Sequence, residues 1–473
     1  MGEEIDQHIF NGKDFEQFSV NLRAETALLQ EWLHDGYLLD DGYSAGVEIE
    51  AWLLNAANQV CPENEAFLQR LDNPLVVPEL AKFNFEINAP PLRFSEDVFG
   101  QMHRQLTSTW AACEKSAFDL DMRTVAVGIL PTVRQQDFVA ENMSALQRYK
   151  AMNKQVMRMR NGKPMQIDIQ GYDHLQCQLE DVMLEAATTS FQMHLQLPPD
   201  KAMRIYNASK IVSAPLVAVT ANSPWLFAKN LWAETRIPVF EQSVQVGHSH
   251  LTDRVTFGIR YVHESIMEVF ASNLARFPIL LPNVVDAPAE EMRHLSLHNG
   301  TIWRWNRPLI GFAENARPHL RLEQRCVPAG PTMRDSVANM AFYYGLVIAL
   351  AEMQPAPELQ LPFANAYENF YNCARDGLDA EVFWLDGEVI NVAQLLEQKL
   401  IRLAEQGLDT LGVAADSIQY WLGIIHDRAV SRQNGACWQR RWCQKHGHDM
   451  ARLVEAYRVR QQDDQPVHLW SLD

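Results

Sequence analysis

The chain has 473 residues, of which 47% are hydrophobic and 21% are charged, a composition that excludes disorder as its main state. Asp and Glu total 59 against 41 for Lys and Arg, which gives a formal net charge of -18. A field of this sign repels nucleic acid and anionic membranes, so we expect small-molecule substrates, bound where local arginines or a cation reverse the sign.

Cysteine usage and hydropathy indicate the compartment. Seven cysteines are spread along the chain without the regular spacing of a disulfide framework, as is typical of proteins from a reducing compartment. The N-terminal stretch MGEEIDQHIFNGKDF is acidic and has no apolar h-region, and no stretch reaches the roughly 18 apolar residues of a membrane span. We therefore expect a cytoplasmic protein without a membrane partner; the sequence allows a homo-oligomer but does not specify one.

The predicted elements change character along the chain. Apolar residues in 15–33 recur at mostly helical spacing. Helical stretches are also predicted over 95–120, 142–158 and 201–213. Strand-like segments are predicted to begin near Val47, Phe83, Val125, Met165, Phe191, Ile302 and Leu320.

From about Asp335 to the end, the pattern is nearly all helical, with a break at the Pro-rich run 354–362. Strands grouped before helices predict an α+β fold. No internal repeat or Gly/Ser linker separates the parts. We expect a catalytic domain over residues 1–400 and a helical C-terminal extension over 401–473 packed on it.

Several predicted strands carry their polar side chains on one face, because side chains on a strand alternate with period 2. In GVEIEAWLL, Val47 and Ile49 point one way, so Glu48 and Glu50 point the other. The same alternation places together Asn84, Glu86 and Asn88 in FNFEINAPP, Gln192, His194 and Gln196 in FQMHLQ, Arg321, Glu323 and Arg325 in LRLEQR, and Asp168 in MQIDIQG. Pro90 and Pro91 are expected to end their strand.

Two interpretations of these strands compete. Antiparallel strands commonly have one face on the core and one in water, but these polar positions carry Glu, His, Gln, Asn and Arg and no Lys. If the strands lie side by side, four carboxylates meet on one face: Glu48, Glu50, Glu86 and Glu323. Such carboxylates repel one another unless a cation binds between them, and oxygen ligands suit Mg²⁺ or Mn²⁺.

The arginines of the same face extend this prediction. Arg321 and Arg325 beside metal-bound carboxylates are suited to a nucleoside triphosphate, held by metal ions and guanidinium groups. Neither a GxxxxGK[ST] loop nor a GxGxxG after a strand occurs in the sequence. The predicted nucleotide site is therefore on the sheet itself.

The ordered motifs resemble the glutamate-cysteine ligase type 2 family of carboxylate-amine ligases, whose catalytic domain is related to glutamine synthetase. The motifs are GVEIE, FNFEINAPP, the strand 192–196, VAVTANSPW, TIWRWNRP, LRLEQR and CARDGLDA, and they run from about residue 40 to 390. The resemblance implies a curved, mainly antiparallel, funnel-like sheet flanked by helices, of the glutamine synthetase/guanido kinase type. It implies ATP and divalent cations at one end of the funnel and glutamate at the other.

The resemblance also assigns residues. Glu48, Glu50, Glu86 and Glu323 match metal-binding carboxylates, and His194 matches a histidine near the metal and phosphate. Arg236 and Arg325 resemble arginines that hold the substrate carboxylate or the transferring phosphate. The assigned catalytic set is Glu48, Glu86, His194, Arg236, Glu323 and Arg325, and the assigned nucleotide-binding set is Gln192, Asn222, Arg321 and Arg325.

The sequence departs from the family at two places. An HVHVG-like strand reads QMHLQ, with Gln192 at the first histidine and Gln196 at the glycine, and the loop after ANSPW lacks its usual glycine. The expected activity is ATP-dependent amide formation through an acyl phosphate, which gives a γ-glutamyl product and a place in glutathione biosynthesis. Two alternatives stay open: a binding protein that has lost turnover, and phosphoryl transfer from ATP to a guanidino or amino group.

Other reactive residues are interpreted as structural. Cys326 is expected to be a buried apolar residue. The group Cys437, Cys443, His446 and His448 fits no common zinc-finger spacing and is expected at a surface helix end. His248 and His250 are expected in a loop.

Overall fold

The computed structural model describes residues 4–5, 7–247 and 252–473. Its strands are β1 (Ser44–Leu54), β2 (Val76–Pro78), β3 (Asn84–Arg93), β4 (Arg123–Val125), β5 (Met165–Gln170), β6 (His174–Leu179), β7 (Phe191–Gln196), β8 (Trp225–Leu226), β9 (Lys229–Asn230), β10 (Asn306–Phe312), β11 (Pro318–Gln324), β12 (Glu381–Phe383) and β13 (Val389–Asn391).

The helices are α1 (Gly12–His34), α2 (Asn64–Leu71), α3 (Val98–Phe118), α4 (Gln147–Met159), α5 (Ala202–Thr220), α6 (Arg236–Ser243), α7 (Met267–Arg276), α8 (Arg293–Gly300), α9 (Met333–Glu352), α10 (Pro357–Gln360), α11 (Phe363–Asp376), α12 (Val392–Leu395), α13 (Ile401–Thr410), α14 (Ala415–Ser431), α15 (Gly435–His446) and α16 (Met450–Gln462). Helix α1 starts at a capping box: Asn11 accepts from Lys13 N, and Asp14 accepts from Asn11 N. The predicted long helices are present, although α4 begins later than predicted, at Gln147, and α5 continues past its predicted end at 213 to Thr220.

The main sheet is antiparallel, in the order β10-β11-β7-β1-β3-β2, and β4 pairs with the far end of β1. The predicted side-by-side arrangement of the polar strands is therefore present, since β11, β7, β1 and β3 are consecutive neighbours. An antiparallel sheet with a helical C-terminal region confirms the predicted α+β fold class.

Two strand predictions were wrong in their limits. Pro90 and Pro91 do not end β3, which continues to Arg93; a shift in register between Ala45 and Val47 of β1 accommodates the segment that lacks two N–H groups. The strand expected near Ile302 begins at Asn306, because the preceding residues form a turn in which the Arg304 side chain bonds to Asn273.

The apolar face of the sheet packs against helices α3, α5 and α9. Val47 and Ile49 are buried there, and Tyr344 of α9 donates to the backbone oxygen of His194 at 2.8 Å. One hydrophobic core extends through the described chain and includes residues of α13, α14 and α16. The helical layer thus fixes the back of the sheet and leaves its polar face for the site.

Three small hairpins lie apart from this sheet. The β5–β6 hairpin contains Asp168, which is 63% exposed and bonded to His174 at 2.7 Å. The polar face of the strand MQIDIQG is therefore exposed to water and does not belong to the polar face of the main sheet. The β12–β13 hairpin interrupts the second half, which was predicted as nearly all helical. Among the described residues, no helix combines the length and apolar character needed to cross a membrane.

Candidate active site

The strand register brings the predicted polar residues together on one face. Glu50 lies opposite Glu86 across β1 and β3, and Glu48 lies opposite Gln192 across β1 and β7. His194 lies opposite Glu323 across β7 and β11. Directly opposed side chains in an antiparallel pair have Cβ atoms about 4.5–5.5 Å apart. Residues from four strands that are distant in sequence therefore line one surface.

Glu48, His194 and Glu323 form the one group of potential metal ligands among the described residues, with ligand atoms all within 4.8 Å of one another. His194 Nε2 lies 3.2 Å from Glu48 Oε1 and 3.9 Å from Glu323 Oε1. His194 Nδ1 is buried without a hydrogen-bond partner within the described chain, and Nε2 faces only the two carboxylates. Two carboxylates around one imidazole nitrogen fit a divalent cation.

Two arginines, Arg307 and Arg325, donate hydrogen bonds to Glu323. Arg307 donates from Nε and Nη2 to the two carboxylate oxygens of Glu323, at 2.7 and 2.9 Å. Arg325 Nη1 donates to Glu323 Oε2 at 3.1 Å. Burial alone would raise the pKa of Glu323, but the charges of Arg307 and Arg325 hold that pKa far below the usual range of a glutamate. Glu323 is therefore ionised and available as a ligand.

The surroundings of Glu50 and Glu86 raise their pKa values, in contrast to those of Glu323. Burial and the charge of Glu79 raise the pKa of Glu50 to about 7. Burial and the charge of Glu48 raise the pKa of Glu86 well above its ordinary value. Each accepts hydrogen bonds from uncharged groups: Ser190 N, Ser190 Oγ and Gln192 Nε2 bind Glu50, and Asn88 Nδ2 binds Glu86. A bound cation would relieve this crowding of carboxylates.

Two further glutamates complete this region and were not found from the sequence. Glu79 follows the short edge strand β2, and Glu185 lies in a single-turn helix, Met183–Ala187, just before β7. Burial and the charges of Glu79 and Glu50 raise the pKa of Glu185 to about 8. We call the six residues Glu48, Glu50, Glu79, Glu86, Glu185 and Glu323 the acidic wall.

The acidic wall lines a cavity of about 750 Å³. Three arginines on β10, β11 and the residue that follows β11, Arg307, Arg321 and Arg325, line the same cavity. Other parts of the lining are apolar or aromatic: Phe270, Leu281, Trp303, Ile310 and Phe312. A cavity of this size and mixed chemistry can hold a nucleotide and a second small substrate.

Arg307 was also missed by sequence reasoning, although it lies in the quoted motif TIWRWNRP. The one feature that indicates its role is its position directly opposite Glu323 in the β10–β11 register. That register became visible only with the pairing of the strands. Arg321 has no ion pair among the described residues, and its buried Nε has no hydrogen-bond partner there.

The departures at Gln192 and Gln196 are compatible with a formed site. Gln192 Nε2 donates to Glu50 Oε1 at 2.9 Å, and Gln192 Oε1 accepts from Arg325 Nη1. Gln192 therefore connects a carboxylate of the acidic wall to an arginine of the cavity. Gln196 lies at the end of β7 and accepts from Ser44 Oγ at 3.2 Å.

Three predicted site residues do not line the cavity. His194 is the first, although it contacts Glu48 and Glu323, which do line the cavity. The other two, Arg236 and Asn222, have their partners away from the cavity. Arg236 is buried behind it, where its Nε donates to Glu234 and its Nη2 donates to the backbone oxygen of Arg325. Asn222 Nδ2 donates to Ala329 O and to Tyr457 Oη, each at 2.8 Å. Both residues support the chain around Arg325 and do not line the cavity.

The remaining reactive residues lie elsewhere. Cys326 is fully buried. Cys437 and Cys443 lie on α15, and His446 near the end of that helix bonds to Leu472 O at 2.5 Å. The described residues offer no metal-ligand group there. His248 and His250 lie outside the described residues.

The model of glutamate-cysteine ligase family 2 matches residues 44–457. The chain belongs to glutamate-cysteine ligase family 2. Membership confirms the resemblance seen in the motifs, and it extends the match beyond residue 390 through most of the C-terminal helices. No curated protein matches the chain.

Solved structures share the fold of this family 2 member. The glutamate–cysteine ligase of Francisella tularensis, in complex with AMP, has a TM-score of 0.53 at 9% sequence identity, and the alignment covers 92% of this chain and 91% of that one. A bifunctional glutathione synthetase from Pasteurella multocida has a TM-score of 0.55 at 13% identity, covering 92% of this chain and 55% of that one. Identities this low establish a common fold and not a common substrate.

Proposed function

We propose that this protein is an ATP-dependent carboxylate–amine ligase that activates the γ-carboxyl group of glutamate as an acyl phosphate and transfers it to an amine. The observation that supports this most directly is the convergence of Glu48, His194 and Glu323 on one point, where Glu48 and Glu323 line a cavity large enough for two substrates, together with Arg307, Arg321 and Arg325. Family membership and the fold agree with it.

In this proposal Glu48, His194 and Glu323 hold a divalent cation, Mg²⁺ or Mn²⁺. When bound, the cation neutralises charge on the phosphate oxygens of ATP. Arg321 and Arg325 line the cavity and supply fixed positive charge to the transferring phosphate. The apolar side chains Phe270, Trp303 and Ile310 offer a surface for the adenine ring.

Arg307 has a different role from the other two arginines. Its Nε and Nη2 both donate to Glu323, and its Nη1 donates to Gly300 O at 3.1 Å, so it fixes that carboxylate in one orientation and keeps it ionised. Gln192 likewise holds Arg325 and Glu50 at a fixed separation. The cation site is therefore preorganised by residues that do not need to touch the substrate.

The reaction has two steps. The donor carboxylate attacks the γ-phosphate of ATP and releases ADP, and an amine then displaces phosphate from the acyl phosphate. The test is purified protein with ATP, Mg²⁺ and glutamate, screened against amines for phosphate release, with mass spectrometry for a γ-glutamyl amide. We expect phosphate release that requires both glutamate and an amine.

The same screen separates the alternatives. ADP formation without free phosphate, together with a phosphorylated amine or guanidine, would indicate a kinase. Absence of ADP formation in the presence of bound Mg²⁺ and ATP would indicate a binding protein that has lost turnover. The placement of Gln192 within the site gives no support to that last alternative, because its two hydrogen bonds complete the site.

A further inference from the structure

Glu185 differs from the rest of the acidic wall in how it is held. Its turn, Met183–Ala187, is fixed through the backbone: Glu185 N donates to Val182 O at 3.0 Å, and Glu185 O accepts from Thr188 N and Thr188 Oγ at 2.9 and 2.7 Å. The other side chains of the turn are buried apolar groups. Of this turn, Glu185 alone lines the cavity.

The other carboxylates of the acidic wall have partners within the chain. These contacts are His194 at Glu48, Ser190 and Gln192 at Glu50, Tyr149 and Leu80 N at Glu79, Asn88 at Glu86, and Arg307 and Arg325 at Glu323. The Glu185 side chain has no hydrogen bond or ion pair to any residue that the structure describes. A carboxylate directed into a cavity without a partner is suited to a cationic group of a ligand.

The surroundings distinguish two kinds of cation. Mg²⁺ requires several oxygen ligands in near-octahedral geometry, and among the described residues only Glu48, His194 and Glu323 come close enough together for a metal site. Glu185 is not a member of that group. An ammonium group carries three N–H donors and needs one good carboxylate acceptor and nearby negative charge. Glu50 and Glu79 supply that charge beside Glu185.

We propose that Glu185 binds the ammonium group of the acceptor amine and takes one proton from it, which makes the nitrogen nucleophilic. This inference rests on the proposed ligase function and assigns a residue to its second step. The first proton passes from the ammonium nitrogen to a carboxylate oxygen of Glu185 and frees the nitrogen lone pair. That lone pair forms the C–N bond to the acyl carbon, the C–O bond to phosphate breaks, and phosphate leaves with the electron pair of that bond and with the second proton that the nitrogen loses. Arg325, whose charge acts on Glu185, is one of the two arginines proposed above to bind the phosphate.

The experiment compares two kinds of acceptor. Hydroxylamine is largely uncharged at neutral pH and traps an acyl phosphate without a base, whereas ethylamine and the amino group of cysteine are protonated. Glu185→Gln should retain ATP- and glutamate-dependent hydroxamate formation, while kcat with ethylamine or cysteine falls about 100-fold or more, the scale of general base catalysis. The matched control is Glu180→Gln, an exposed glutamate five residues earlier that does not line the cavity; it should behave as wild type.

Three results would overturn the inference. Equal loss with hydroxylamine and the amines would place Glu185 in the first step. Unchanged rates with the amines would remove it from catalysis. The third result is a Mn²⁺ affinity of Glu185→Gln that is more than about tenfold below that of wild type, a loss typical of damage to a metal site. It would show that Glu185 binds a metal ion and not an ammonium group. Wild-type protein that forms neither hydroxamate nor ADP would instead refute the ligase function, and this inference with it.

Discussion

Arg307 binds both carboxylate oxygens of Glu323 across the β10–β11 pair, at 2.7 and 2.9 Å. The pair is buried, and it orients one of the three potential metal ligands. Two parallel N–H···O bonds fix the plane of the carboxylate as well as its position. The stability of the sheet and the proposed chemistry therefore depend on the same contact.

Replacement of Arg307 should destabilise the protein. Arg307→Met leaves Glu323 buried with only Arg325 as a cationic hydrogen-bond partner, and breaking a buried pair costs about 3–5 kcal/mol in free energy of unfolding. We expect a loss near the lower end, about 3 kcal/mol, because Arg325 remains. Urea denaturation measures it. The control Arg70→Met removes a surface pair with Asp119, in which Arg70 is 55% exposed, and should cost less than about 1 kcal/mol.

Metal binding should depend on the group of Glu48, His194 and Glu323. Glu48→Gln keeps the size of the side chain but removes its charge, so Mn²⁺ affinity measured by calorimetry should fall by more than about tenfold. Turnover of Glu323→Ala should fall by about 10² to 10³. The exposed Glu291, at the cavity rim, gives the control Glu291→Gln. Equal Mn²⁺ affinity in Glu48→Gln and Glu291→Gln would refute the assignment.

Stability without metal should depend on pH through Glu50 and Glu185. Their pKa values in the folded protein are raised to about 7 and about 8, above the value of about 4.3 for an exposed glutamate. The folded state therefore binds more protons than the unfolded state between these limits, and stability falls as pH rises from about 4.5 to about 8.

Thermal unfolding in EDTA at a series of pH values measures this effect. The difference in Tm between Glu185→Gln and wild type should be small at pH 5 and should favour the variant at pH 8, because the variant has no carboxylate to ionise. Added Mg²⁺ should raise the wild-type Tm most at the higher pH, since a cation stabilises the ionised acidic wall. A difference that is constant with pH would contradict the assignment.

Asn222 and Arg321 were both predicted to bind the nucleotide, and the structure separates them. Asn222→Ala removes three buried hydrogen bonds, so it should lower the free energy of unfolding by about 1–3 kcal/mol and leave KM for ATP unchanged. Arg321→Ala should leave stability nearly unchanged and raise KM for ATP, because Arg321 lines the cavity without an ion pair among the described residues. A raised KM in folded Asn222→Ala would restore its predicted role.

The sequence by itself determined the polar face of the sheet. Alternation with period 2 assigned Glu48 and Glu50 to one side of β1 and Val47 and Ile49 to the other, and the same rule applied to the strands of Glu86, His194 and Glu323. Period and residue type are local properties, so they could be seen before any strand was paired. The family followed from the order of the same motifs.

Tertiary structure alone decided which polar residues meet. Glu79 and Glu185 lie outside long alternating strands, and Arg307 contacts Glu323 only through the β10–β11 register. Asp168 has the same local pattern as Glu86, yet its strand forms a separate exposed hairpin. Which strand pairs with which depends on contacts between distant parts of the chain, and local periodicity carries no information about them.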